Sequence, residues 1–157
     1  MSSDSAPTPP ERVREMLVRV VETCGLDAEV QVEEDPDSLR ATLEGDDLGL
    51  LIGRHGQTID ALEHLASRIA FAARDERKRI VVDAGGYRAR RAEVLERQAD
   101  RAVEEAVEYG RPVALDALVA SERRLVHEYL RDRRDIETYS EGDEPDRRLV
   151  VAPVVGA

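Results

Sequence analysis

Apolar residues at Val13, Met16, Leu17, Val20, Val21 and Cys24 recur at the 3.6-residue period of a helix with one buried face. Thr8-Pro9-Pro10-Glu11 ahead of them has the form of a capping box, and Gly25 behind them supplies a stop. Cys24 completes the stripe, which predicts a thiol packed in the core rather than a nucleophile. The period then changes to two. Val30 and Val32 alternate with Glu29, Gln31 and Glu33, and beyond Asp35-Pro36-Asp37 the residues Leu39, Ala41 and Leu43 alternate again, so residues 28–44 predict a hairpin with one wet face. Gly45-Asp46-Asp47 ends it, and Leu48 to Ile52 predict a short helical turn. Ile59, Leu62, Leu65, Ala66, Ile69, Ala70 and Ala73 line one side of a longer predicted helix. Arg74 to Arg79 reads as a charged connector, and Ile80-Val81-Val82-Asp83 as a third strand closed by Gly85-Gly86.

A second set of elements follows. Val94, Leu95, Ala99, Ala102, Val103, Ala106 and Val107 form the apolar side of a long helix over residues 87–109, which Gly110 terminates. Pro112 to Leu115 predicts a short strand. Ser121-Glu122 opens a helix in which Leu125, Val126, Tyr129 and Leu130 can face inward while Arg123 and His127, four apart, project together as an exposed cation and an imidazole. From Glu137 onward a strand, a Gly142-Asp143-Glu144-Pro145 turn and a second strand complete the chain. The pattern is α+β throughout. It divides into a tail over residues 1–10, polar, proline-rich and expected to be disordered, then a domain over 11–86 and a second over 87–153 that includes the long helix.

The stretch Leu51-Ile52-Gly53-Arg54-His55-Gly56-Gln57-Thr58-Ile59 carries the most chemistry. Glycines at both ends of a four-residue turn let the backbone bend sharply and approach a ligand closely. Arg54 and His55 between them offer N–H donors to an anion, and the first N–H groups of the helix that follows add to that field. One reading is a loop that grips a sugar-phosphate strand; the other is a plain helix-to-helix turn with two solvated side chains. A groove beside the loop would be lined by Ile52, Ile59 and a strand edge. With one Phe and four Tyr in the chain, bases there would be held by apolar contact and hydrogen bonds more than by stacking.

Charge qualifies this picture. The net charge of -11 opposes a surface that attracts nucleic acid everywhere. Its distribution is uneven, however: residues 51–101 carry 11 Arg and Lys against 8 Asp and Glu, whereas residues 1–50 carry 4 against 13. A basic strip on an acidic body is therefore expected, and Arg88, with Arg90 and Arg91, would extend it. On the rest of the long helix, pairs such as Glu93 with Arg97 and Arg101 with Glu105 predict a self-paired, solvated face. A single cysteine makes no internal disulfide, the N-terminus has no apolar stretch of a secretory signal, and no run approaches a membrane span, so a cytoplasmic location without membrane insertion is expected.

The order helix, strand, strand, helix, glycine loop, helix, strand, with its Ile-Gly-x-x-Gly core, resembles the type II KH domain. Glu122-Arg123-Arg124-Leu125-Val126-His127, followed by Thr138-x-Ser140-x-Gly142-x-x-Pro145-x-Arg147-Arg148-x-Val150-Val151-x-Pro153, resembles the R-three-H (Arg-x-x-x-His) domain of the bacterial Jag, or SpoIIIJ-associated, family. Gly86-Tyr87-Arg88-x-Arg90-Arg91 is similar to that family as well, and the likeness covers nearly all of residues 11–153. The resemblance implies single-stranded RNA as the ligand, or single-stranded DNA with the same backbone chemistry. It further implies links to bacterial cell elongation and division, a small single-KH protein as a partner, and no cofactor. It assigns Gly53, Arg54, His55 and Gly56 to the nucleic-acid backbone in the first domain and Arg123 and His127 to contacts in the second. The family often has Lys or Arg at both middle loop positions, so His55 implies a weaker grip. Many relatives carry a further N-terminal Jag domain, and the resemblance carries none of that domain's functions to this chain.

Two other classes stand beside this one. For an enzyme, His127 with Glu128 or Asp132, or His64 with Asp60, are the available acid-base pairs. The chain offers no phosphate-binding P-loop, nucleophile elbow or metal-spaced Cys/His set to go with them, and no catalysis is expected. An adaptor whose acidic N-terminal half docks a basic protein is the remaining alternative.

Overall fold

A computed structural model describes residues 6–71 and 78–154, which divide into two compact units at Arg88/Ala89. In the first, α1 (Pro9–Thr23) begins two residues inside the stretch expected to be tail. The Glu11 carboxylate accepts from the Thr8 backbone N–H at 2.7 Å and from its hydroxyl at 2.9 Å, and these two bonds hold the carboxyl below its ordinary range. Val13, Leu17 and Val21 are the buried face of α1. Cys24 is exposed, contrary to the expectation of a core thiol: it is the C-cap, where the helix ends before another turn can carry its side chain inward.

Strands β1 (Ala28–Glu34) and β2 (Ser38–Gly45) form the predicted hairpin, and β3 (Arg79–Ala84) adds in parallel to β2. The sheet order β1-β2-β3 leaves β3 as an edge strand. Between β2 and β3 the chain forms α2 (Gly49–Ile52), a single 3-10 turn over Arg54–Gly56, and α3 (Gln57–Ala70). Leu39, Ala41 and Leu43 of β2 pack with Leu51, Ile59, Leu62 and Val82 in one core. Leu65, expected on the inner side of α3, is 44% exposed, because Leu62, Ala66 and Ala70 define a narrower stripe. Ala73 and most of the charged connector lie outside the described residues.

The remaining elements are α4 (Tyr87–Tyr109), β4 (Val113–Ala117), α5 (Ala120–Leu130), β5 (Ile136–Glu141) and β6 (Arg148–Pro153). In the second unit β6 is central, antiparallel to β4 on one side and β5 on the other. Leu95, Ala99 and Val103 of α4 share a core with Val126 and Leu130 of α5 and with Leu149 and Val151 of β6. Val107 is 49% exposed near the end of α4, and Tyr129 turns outward to donate its hydroxyl to Asp100, so neither is the inward residue the pattern predicts. Glu93 and Arg97 do approach, at 4.0 Å, whereas Glu105 pairs with Arg111 rather than Arg101. No helix among the described residues is long and apolar enough to cross a membrane.

Candidate nucleic-acid interface

Three residues with positive φ build the loop: Gly53 (φ 72°), His55 (φ 54°) and Gly56 (φ 76°). Gly53 ends α2 by donating to the Gly49 carbonyl at 2.9 Å, and its left-handed φ reverses the chain into the 3-10 turn. A Cβ at Gly53 would overlap the Thr58 hydroxyl and lie 2.8 Å from Thr58 Cβ and 2.9 Å from its backbone N. At Gly56 a Cβ would fall 2.9 Å from Cε1 of Tyr87. Both glycines are thus required twice, by backbone angle and by the closeness of a neighbour. Gly53→Ala is expected to cost about 2 kcal/mol in urea unfolding. Gly25→Ala, at φ 66° with nothing within 4 Å, has only the backbone penalty, about 1 kcal/mol.

The loop displays its two middle side chains outward. Arg54 and His55 are exposed, and among the described residues the Arg54 guanidinium has no ion-pair partner. His55 occupies a left-handed conformation that a β-branched residue would resist, so the turn itself holds its side chain at the crest. Gly56 is the N-cap of α3 and has no side chain to cover the first N–H groups of that helix. Cation, imidazole and helix N-terminus therefore meet within four residues, a donor set suited to phosphate oxygens.

The expected groove is organised differently. Ile59 is wholly buried and belongs to the core, and Ile52 is half-buried against it, so the apolar pair supports the loop from beneath. Arg88 does not extend a basic strip. Its Nη1 donates to Asp60 Oδ1 at 3.0 Å, its Nη2 to Glu63 Oε2 at 2.9 Å and its Nε to the Val82 carbonyl at 2.8 Å. Arg91 is likewise engaged, donating to buried Glu122 at 2.6 Å. These carboxylates lie 25 to 31 residues away in sequence, beyond what helical neighbours reveal.

On α5 the arginine and histidine of the Arg-x-x-x-His spacing part company. Arg123 is 9% exposed, and its guanidinium donates to the Leu118 carbonyl and to Glu144 Oε1, each at 2.5 Å. The expected exposed cation is instead a brace between the start of α5 and the β5–β6 turn. His127 is exposed, and its Nδ1 lies 2.5 Å from the Thr138 hydroxyl on the edge strand β5, a contact that orients the ring. The acid-base pairing of His127 with Glu128 or Asp132 is not made; Glu128 accepts from Arg131. Arg124, three residues before His127, is exposed and has no ion-pair partner among the described residues. Sequence reasoning did not single out Arg124 or Thr138 as candidates, although i,i+3 spacing places Arg124 and His127 on one face.

Two domain families match this chain, one described as the KH domain of KhpA/KhpB over residues 10–83 and the other as the R-three-H domain over residues 93–153. Among curated proteins, an RNA-binding protein KhpB of Clostridium symbiosum is 31% identical over 90% of this chain and 65% of its own length. The protein of that name in Lactiplantibacillus plantarum is 38% identical over 87% of this chain and 42% of its own. For the one from Bacillus subtilis the figures are 30%, 92% and 70%. The chain thus spans between less than half and about two thirds of the length of these relatives. With a KH unit followed by an R-three-H unit in the same order, and similarity running through both, the chain belongs to the KhpB (Jag) family.

Proposed function

We propose that this protein binds single-stranded RNA by its sugar-phosphate backbone. The Gly53–Gly56 loop makes the contact in the first unit, and Arg124 and His127 of α5 make it in the second, with Arg123 acting from within as the brace of that surface. The observation that carries this reading is the loop: two glycines enforce a bend that exposes Arg54 and His55 at the glycine-capped start of α3. The names of the relatives, which describe RNA-binding proteins, support it. The reading extends to post-transcriptional control connected with cell elongation or division, in the cytoplasm and without catalysis. It includes a small single-KH protein as a partner, a pairing that the KhpA/KhpB description of the matched domain supports. The net charge of -11 favours a second reading, an acidic adaptor that docks a basic protein.

Salt separates the two. Backbone binding predicts that log Kd for a fluorescent single-stranded octanucleotide rises linearly with log salt, with a slope of about 0.7 per phosphate neutralised and about 2 to 3 in all. Anisotropy titrations at several salt concentrations check this, and an octanucleotide that fails to bind at low salt would leave the adaptor ahead.

A further inference from the structure

Strand β3 is an edge strand, and an edge normally leaves alternate backbone N–H and C=O groups open to a partner. At Val82 both outward groups are taken by side chains. Its N–H donates to Glu63 Oε2 at 2.9 Å, and its C=O accepts from Arg88 Nε at 2.8 Å. The same Glu63 oxygen accepts from Arg88 Nη2 at 2.9 Å, so carboxylate and guanidinium close a ring of hydrogen bonds with the backbone N–H and C=O of Val82. Asp60 holds the guanidinium from the other side at 3.0 Å, and the Asp83 carboxylate accepts the Arg88 backbone N–H at 3.2 Å. What the edge meets is one acceptor beside one donor. That is also what the Watson–Crick edge of an unstacked base presents.

Position ties this arrangement to the loop. Glu63 lies about 10 Å along α3 from Gly56 at 1.5 Å per residue, one or two nucleotides from a phosphate held at the loop. Tyr87, the neighbour of Arg88, packs its ring against Gly56. Asp60, Glu63 and Arg88 are each about a third exposed, so the figure lies at the surface, where a bound strand would pass.

Building on the backbone-binding reading, we propose that the Glu63–Arg88 pair occupies the place on β3 where a base would otherwise be read. The first unit then holds RNA with little regard to sequence, and opening the pair uncovers a base-selective edge. A base competing for Val82 must displace two charge-assisted hydrogen bonds and disturb a guanidinium shared by two carboxylates. A neutral base cannot match that set.

The test uses the full chain and fluorescein-labelled octamers of A, C and U at low salt. For each protein the spread is the ratio between the weakest and the tightest octamer. In Glu63→Ala/Arg88→Ala, which opens both groups of Val82, the spread is expected to widen at least tenfold over that of the intact chain. Thermal unfolding reports whether this variant folds. Should it not, Glu63→Ala alone, which opens the Val82 N–H and keeps the Arg88–Asp60 bond, is expected to widen the spread about threefold, the smaller effect of one hydrogen bond. An unchanged spread in a folded variant overturns this inference and leaves the backbone reading standing. Failure of the intact chain to bind any octamer overturns both.

Discussion

Replacing both middle residues of the loop, as Arg54→Asp/His55→Asp, is expected to weaken binding of a single-stranded RNA octamer at least tenfold, about 1.4 kcal/mol or more, while leaving thermal unfolding within a few degrees. The size follows from where the charges sit. Both side chains are exposed at the crest of the turn, and Arg54 has no ion-pair partner among the described residues, so its charge is available to a phosphate. Reversal substitutes repulsion for attraction at a site that also carries the positive end of α3. The salt slope should fall as well, by about 0.7 for each phosphate no longer neutralised. Stability should change little because Gly53, Gly56 and the buried Leu51 and Ile59 carry the fold of the loop. Anisotropy at two salt concentrations, with a melting curve on the same samples, reads all three quantities.

The second large effect separates two adjacent arginines. Arg123→Ala is expected to destabilise the second unit by about 2 kcal/mol, from an unsatisfied Leu118 carbonyl and weaker packing at the turn. For a domain of this size that is about 10 °C in Tm. Glu144 is 57% exposed and can be solvated once its partner is gone, which keeps the effect below that of orphaning a buried charge. Arg124→Ala should do the reverse, leaving Tm unchanged and weakening RNA binding about threefold, as expected when one exposed phosphate loses its cation. A melting curve and a titration on each variant give four numbers. A brace at Arg123 and a phosphate ligand at Arg124 require them to fall on opposite diagonals.

The two periods of hydrophobicity made the order of elements legible, because each is a property of neighbours in sequence: Leu39, Ala41 and Leu43 alternate into the core, and Val13, Leu17 and Val21 recur along one helical face. The loop was legible for a similar reason, since two glycines three apart after an apolar pair demand a bend wherever they occur. Errors cluster where a stripe runs out. Cys24 and Val107 continue the apolar pattern toward a helix end where they are exposed, and Leu65 lies at the side of the narrower buried stripe of Leu62, Ala66 and Ala70.

Charged residues were the hardest to place. An arginine reaches far enough to bury its head wherever a carbonyl and a carboxylate wait, and for Arg123 these are five and 21 residues away, while Arg88 meets carboxylates 25 and 28 away. Helical spacing paired Arg123 with His127 as equals. Tertiary structure gives the buried place to Arg123 and the exposed one to Arg124, and adds Thr138, from another element, to orient the imidazole.

The central claim, that the exposed bend between Gly53 and Gly56 is where a phosphodiester chain is held, is tested most directly by following backbone amide resonances of the intact chain as a single-stranded RNA octamer is added. The largest shifts in the first unit are predicted to fall on Gly53 to Thr58, and those in the second on Arg124, His127 and Thr138. Shifts that leave Gly53 to Thr58 unmoved while the RNA demonstrably binds would contradict it.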